Sequence, residues 1–514
     1  LLRGSICARS IHGLPTDGHE RHTIEPLRHS RIVARTIQEP SGWAFVVAER
    51  LAGISYELAT IADAHNLFER FDGEILLLEV RHNEYGFNLR LATNGNGVAP
   101  VYFYQNGDRI CFDWDSDRLA KAVMHKSFDF QYLCRAIVDP VYTYRTPFTN
   151  IQLLPARAQL LWDGTRLRVA EIEGEEQEIE IEGDDAGRFI IDHVDAYLAK
   201  RGAPDQAFAA ELSGGIDSSF VTLSAFRAWE GRGITLGIDI GFGPARQAQL
   251  DRRNTVISNV RCKDFVVDIR QYMPAFRLAA EDLESRYLLA EEYEDAFSRI
   301  WSIARNEGCF VITGGYGGDE LFPTFAGEKV RHDKLRSMTE ADRTQISNVY
   351  EEIFTPNAWQ AVSDGFIGEL DPGYLGKTAR LAVIKRAPLL LSRGFWPVFP
   401  LFDEKLAAAL LTATADERHE KTALQDAVRF LLGERDIFGT YHKETLEGAS
   451  DRSLRQSADD VIETLSTSRL IDIGILRANA IRTDTVGDLA DIRNPYSPIL
   501  STLYATEKFI RRNF

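Results

Sequence analysis

The sequence predicts an α/β chain in two parts: a β-rich region over residues 1–180 and a parallel-sheet domain over residues 186–514. Three observations predict it. Short apolar runs and period-two alternation crowd the first 170 residues. A strongly acidic stretch from Glu171 to Asp185 (EIEGEEQEIEIEGDD) then reads as a solvated strand or linker at a domain boundary. Beyond it, apolar strands are separated by helical segments, the alternation that puts helices on both faces of a parallel sheet.

In the first part, 75–80 is a short apolar run and 87–91 alternates with period two. The runs 101–104 and 110–112 flank Gln105-Asn106-Gly107-Asp108. Asn-Gly between apolar runs is a strong hairpin signal, because both residues tolerate positive φ. Sheets packed on one another, with few helices, are expected. In the second part, helices are predicted over 187–200 and 218–230, a weak strand over 207–212, and apolar strands over 234–240, 265–269 and 310–313. After about residue 330 the pattern is mostly helical, over 339–354, 404–415, 421–432, 455–466 and 499–511. There is no internal repeat.

Composition excludes several classes of function. The chain has 514 residues, 44% hydrophobic and 26% charged, which is enough apolar material for large cores. No run reaches the roughly 18 apolar residues of a membrane span, so membrane insertion is not expected. With 59 basic against 76 acidic residues the net charge is −17, unsuited to coating a nucleic acid. The five cysteines are scattered and form no CxxC pair, which argues against a disulfide framework or a thiolate zinc site. Without the basic-then-apolar order of a secretory signal, the expected compartment is the cytoplasm.

The sharpest chemical signal is Glu211-Leu212-Ser213-Gly214-Gly215-Ile216-Asp217-Ser218-Ser219, between the weak strand and a helix. Gly214 and Gly215 let the backbone approach an oxyanion. The hydroxyls of Ser213, Ser218 and Ser219 and the helix N-terminal N–H groups point at it, and the helix dipole favours negative charge. Asp217 would repel phosphate directly, so its expected task is to hold a Mg²⁺ that touches phosphate. The second element, Thr313-Gly314-Gly315-Tyr316-Gly317-Gly318-Asp319-Glu320, follows an apolar strand, as a site at the carboxyl edge of a parallel sheet should.

The first element resembles the pyrophosphate loop of the ATP-pyrophosphatase superfamily, whose members split ATP to AMP and pyrophosphate while adenylating a substrate. The second resembles the G-x-G-x-D-E loop of asparagine synthetases, in which the aspartate joins the first in binding Mg²⁺; Asp217 and Asp319 are therefore the expected metal pair. A third element, His442-Lys443-Glu444-Thr445-Leu446-Glu447-Gly448, looks like the K-x-x-x-E-G loop of β-lactam synthetases. That resemblance gives Lys443 the support of the pyrophosphate and the tetrahedral anion, with Glu447 assigned to catalysis alongside it. It also implies that Leu212 and Gly315 line the nucleotide by backbone contact. Tyr316 stands where β-lactam synthetases have a tyrosine, and is assigned to orienting or deprotonating the amine.

Residues 1–180 look like the glutamine-hydrolysing Ntn partner domain of this family, but degenerate. Residue 1 is leucine rather than the nucleophilic cysteine, and Cys7 lies in Ser5-Ile6-Cys7-Ala8-Arg9, outside the family's Cys-Gly-Ile context. The nitrogen is then expected from the substrate, from free ammonia or from another protein. Substrate-borne amines leave β-lactam synthetases and lasso-peptide cyclases. The glutamate that assists the tyrosine in β-lactam synthetases is expected some 15 residues before Pro400, where the chain reads Leu381-Ala382-Val383-Ile384-Lys385-Arg386, without a carboxylate. The whole-chain layout is most similar to the lasso cyclases (macrolactam synthetases), including 468–475 and 498–514 near the C-terminus. The resemblance implies an ATP- and Mg²⁺-dependent ligase that adenylates an Asp or Glu side chain of a precursor peptide, whose own N-terminal amine then closes the ring. A leader peptidase and a leader-recognition protein are the further candidate partners.

The rivals are a β-lactam-type cyclase, an ammonia-fed asparagine-synthetase-like ligase and a non-enzymatic peptide-binding scaffold; a nucleic-acid thiolation enzyme is disfavoured by charge and cysteine content. His12, His19, His22 and His29 read as part of an exposed arm rather than a metal site, and the basic tail 508–512 as a solvated helix face.

Overall fold

The computed structural model describes residues 1–8, 22–84, 86–123, 126–172, 181, 185–205, 207–230, 233–276, 292–322, 348–439, 444–482, 486 and 496–514. The N-terminal part is built of two antiparallel sheets. One has six strands, in the order Leu167–Glu171, Ala158–Trp162, Gly86–Asn94, Ile75–Asn83, Gly42–Glu49 and Ile32–Glu39. The other has five: His22–Pro26, Leu2–Cys7, Arg109–Asp113, Val101–Asn106 and Gln152–Leu154.

Side-chain alternation sorts their faces. Leu76, Leu78 and Val80 join Val101, Phe103 and Phe112 in one core between the sheets. Their neighbours Ile75 and Leu77 turn outward onto Ala64 and Phe68 of the helix Ile61–Arg70. Tyr102 and Tyr104 turn outward onto Leu133 and Ile137 of the helix Phe130–Val138. These few helices cover both outer faces, and the run 75–80 is apolar because it is buried on both sides.

The hairpin at Asn106-Gly107 is present, but its two loop residues are Gly107 and Asp108. Asn106 still pairs with Arg109, and Gly107 takes the positive φ, 59°.

The second part is a five-stranded parallel sheet, in the order Lys263–Asp268, Gly233–Asp239, Phe208–Glu211, Val311–Thr313 and Trp396–Val398. The helices Ala186–Arg201, Ile216–Ala228 and Thr422–Leu431 pack on one another. The helices Glu294–Asn306 and Gly376–Ser392 form a second group, joined where Arg386 meets Phe297 and Trp301. Strand order reverses on either side of Phe208–Glu211, and ligands of open parallel sheets bind at the carboxyl ends of strands at such a switch point.

The expected helix over 455–466 is two helices, Glu447–Gln456 and Ala458–Ser466, broken at Ser457. The helix expected over 404–415 stops at Leu410. Most of 339–354 lies outside the described residues, as does most of the acidic stretch Glu171–Asp185.

The two parts are joined by buried polar groups. The Glu49 carboxylate is 3.0 Å from Nε of Arg201 and accepts from Nε1 of Trp396 at 2.9 Å. His29 corrects the arm reading: its Nε2 lies 3.1 Å from the Phe310 carbonyl, its ring is beside Trp396, and burial lowers its pKa. His12 and His19 lie outside the described residues. The basic tail is not a solvated face either. Arg511 pairs with Glu507, Arg512 reaches Asp117 at 3.5 Å, and the C-terminal Phe514 ring packs on Phe128 and Phe148. Among the described residues no helix is long and apolar enough to cross a membrane.

Candidate active site

The loop after Phe208–Glu211 turns at Gly214, whose φ of 93° a side chain would strain. Gly215 then caps the helix Ile216–Ala228 with no side-chain hydrogen bond, which leaves the first helical N–H groups to face an anion. Within the loop Ser218 Oγ lies 2.9 Å from Ser213 Oγ, and Ser213 Oγ accepts from the Gly215 N–H at 3.1 Å. Gln249 holds the turn from outside, donating to the Ser213 carbonyl at 2.8 Å.

The loop after Val311–Thr313 folds directly against it. A Cβ on Gly318 would overlap the Asp217 carboxylate, and one on Gly315 would press on the Asp217 backbone, so only glycine permits this approach. The carboxylates of Asp217 and Asp319, 102 residues apart in the chain, thereby converge on one point. That point is occupied by Nζ of Lys421, 2.7 Å from Asp217 and 2.6 Å from Asp319. Burial opposes the charge of Lys421, whose side chain is only 2% exposed, but the two carboxylates outweigh it and its pKa is raised.

Sequence reasoning missed Lys421. It opens the helix Thr422–Leu431, where a lysine reads as solvated, and its left-handed backbone (φ 58°) that brings it inward is invisible in composition. Glu320, beside the pair, is pushed up to about 7 by burial and then by Asp319.

The two loops open onto a cavity of about 440 Å³. Its apolar lining includes Leu212, Leu236, Ile238, Phe297, Tyr316 and Ala382. The Tyr316 ring packs on Phe399 at 4.6 Å, with the Arg386 guanidinium 5.0 Å from its centre. Arg386 is itself 3.6 Å from Glu211, which accepts from Nε1 of Trp301 at 2.7 Å.

Two hard carboxylates meeting around a cation at the lip of an anion-binding loop fit Mg²⁺, which is commonly held by one or two carboxylates plus phosphate and water oxygens. Among the described residues there is no cluster of three or more potential metal ligands.

Residues 191–427 match the family model described as asparagine synthase. The matched segment is just under half of the chain and contains both glycine-rich loops. The segment folds as the parallel-sheet α/β part of the chain, with the asparagine synthase match running through its strands Phe208–Glu211, Gly233–Asp239, Lys263–Asp268, Val311–Thr313 and Trp396–Val398. No curated protein sequence matches the chain.

Solved structures similar to it include an NH3-dependent NAD synthetase from Campylobacter jejuni, with 15% identity over 27% of this chain and 58% of that one and a TM-score of 0.19. A U34-tRNA thiolase from Methanococcus maripaludis has 12% identity over 60% and 80%, with a TM-score of 0.25. An NMN synthetase from Francisella tularensis has 13% identity over 28% and 58%, with a TM-score of 0.18. The chain thus spans 58% of the length of two of these structures, and scores this low carry no argument about function.

Of the residues expected in the site, Leu212, Ser213, Gly215, Asp217, Ser218, Gly315, Tyr316 and Asp319 all line the cavity. Gly214 serves the turn and is not on the wall. Ser219 corrects the reading of the serines: it is fully buried within the helix's first turn and its hydroxyl does not face the cavity. Lys443 lies outside the described residues. Glu447 begins the helix Glu447–Gln456, and its side chain lies outside what is described.

Proposed function

We propose that the chain is an ATP-dependent macrolactam-forming ligase acting on a lasso precursor peptide. The observation that carries this reading is the convergence of Asp217 and Asp319 at the serine-lined loop, on a cavity that apolar side chains also line. In the proposed reaction an Asp or Glu side-chain oxygen of the peptide attacks the α-phosphorus of ATP. The α–β bridging bond breaks, and pyrophosphate leaves into the Ser213–Ser218 loop. The peptide's N-terminal amine then attacks the acyl carbon, loses its proton, and AMP departs. Holding amine and activated carbon on one chain in one cavity makes the second step effectively unimolecular. A Mg²⁺ held by Asp217 and Asp319 would neutralise phosphate charge.

By resemblance, Lys443 would stabilise the adenylate and tetrahedral anions with Glu447 beside it. Tyr316, on the cavity wall, would orient or deprotonate the amine. Arg386 lies over the Tyr316 ring on the helix where a β-lactam-type enzyme needs a glutamate, which favours the macrolactam reading over the β-lactam one. We place the reaction in the cytoplasm, with a leader peptidase and a leader-recognition protein as partners.

The test is mass spectrometry of a candidate precursor incubated with ATP. Loss of one water from the peptide, matched by AMP and pyrophosphate, is expected. Amidation by added ammonia would instead mark an asparagine-synthetase-like ligase. Pyrophosphate absent from wild type and Asp217→Ala alike would mark a binding scaffold.

A further inference from the structure

The loop read as the pyrophosphate site already holds a carboxylate from the protein itself. Glu444 Oε1 accepts from Ser213 Oγ at 3.0 Å and fills the space that a Cβ on Gly215 would need. Its other oxygen accepts from Nη2 of Arg252 at 3.0 Å. The same guanidinium donates from Nε to the Gly214 carbonyl at 2.6 Å, which fixes it against the loop. The two side chains are 4% and 9% exposed. Glu444 is on the cavity wall, and Arg252 lies behind it.

A carboxylate and a phosphate offer these donors the same thing, a charged oxygen at hydrogen-bond distance. They cannot share the place, because like charges in one buried site repel strongly.

We propose that Arg252 is a pyrophosphate-binding residue, and that Glu444 occupies its anion position until the phosphates of ATP displace it. This rests on reading 213–218 as the pyrophosphate loop. The exchange keeps the buried guanidinium paired in both states, so its charge is never stranded, the condition under which a buried ion is costly. It also gives the segment carrying Glu444 a reason to move when nucleotide arrives. The carboxylate that holds the segment on the loop is the group that nucleotide replaces.

The experiment is calorimetric titration of the full chain with inorganic pyrophosphate and Mg²⁺, which needs no acceptor substrate. Glu444→Gln keeps the shape and the Ser213 contact but removes the charge, and should bind pyrophosphate about tenfold tighter or more. Arg252→Lys should bind it more weakly, since an ammonium cannot serve the Gly214 carbonyl and a phosphate with one planar fork. If Glu444→Gln binds no tighter than a wild type that does bind, the exchange is wrong while the loop assignment stands. If neither protein binds pyrophosphate, the loop assignment itself is overturned. The Glu444→Gln comparison decides the matter even if Arg252→Lys fails to fold.

Discussion

The ammonium of Lys421 lies 2.7 Å from Oδ2 of Asp217, in the position we propose for a metal ion. Asp319 closes on the same nitrogen from the other side at 2.6 Å. The lysine thus neutralises two carboxylates that would otherwise repel each other, and on the proposed reading a divalent cation would have to displace it. Lys421→Met should therefore lower the thermal midpoint in metal-free buffer and make it rise on adding millimolar Mg²⁺, with a smaller rise in wild type. Differential scanning calorimetry with and without Mg²⁺ checks this; equal responses would mean that the lysine and the metal do not share the position.

Asp217 and Asp319 should be interdependent. On the proposed reading both carboxylates serve one cation, so Asp217→Asn and Asp319→Asn should each reduce pyrophosphate release at least about 100-fold. The double variant should lose little more, because residues that act as one unit are not additive. A coupled phosphate assay on the three variants measures it.

Glu49 should matter for stability more than for chemistry. Its carboxylate is 1% exposed and serves Arg201 and Trp396 across the junction of the two parts. Glu49→Ala would leave a buried guanidinium without that partner, at a cost of about 3 kcal/mol or more. Urea unfolding should show this fall, with pyrophosphate affinity at low denaturant little changed.

Glu74 gives stability a pH dependence. Burial, and then the neighbouring Glu49, push its carboxyl up to about 7 from an ordinary value of 4.5. The folded state therefore binds its proton more tightly than the unfolded state. Its contribution is full below pH 4.5 and is lost as pH rises through about 7. Glu74→Gln, which cannot ionise, should gain on wild type between about pH 5 and about pH 8 in paired urea titrations; an unchanged difference would contradict the assignment.

What the sequence shows of this site is what glycine and aspartate make conspicuous. The two Gly-rich loops stood out because close backbone approach and cation binding require those residue types at fixed offsets, and both loops lie at the switch point of the sheet. Lys421, Arg252 and Glu444 did not stand out. Each is a charged residue in or beside a helix, where local pattern predicts a solvated face, and only tertiary packing buries it. The helices 61–70 and 130–138 were hidden for a related reason: the strands they cover are apolar on both faces, and alternation alone does not say what lies outside. His29 was misplaced because a loop rich in Pro, Gly and Arg reads as exposed, while its partner Phe310 is 281 residues away.

The most direct test is a crystal structure of the full chain with ATP and Mn²⁺, read by anomalous scattering. The account predicts a manganese peak between the Asp217 and Asp319 carboxylates, Lys421 withdrawn from between them, and the triphosphate along the loop 213–218. A nucleotide bound elsewhere, or a metal peak away from those two carboxylates, would contradict it.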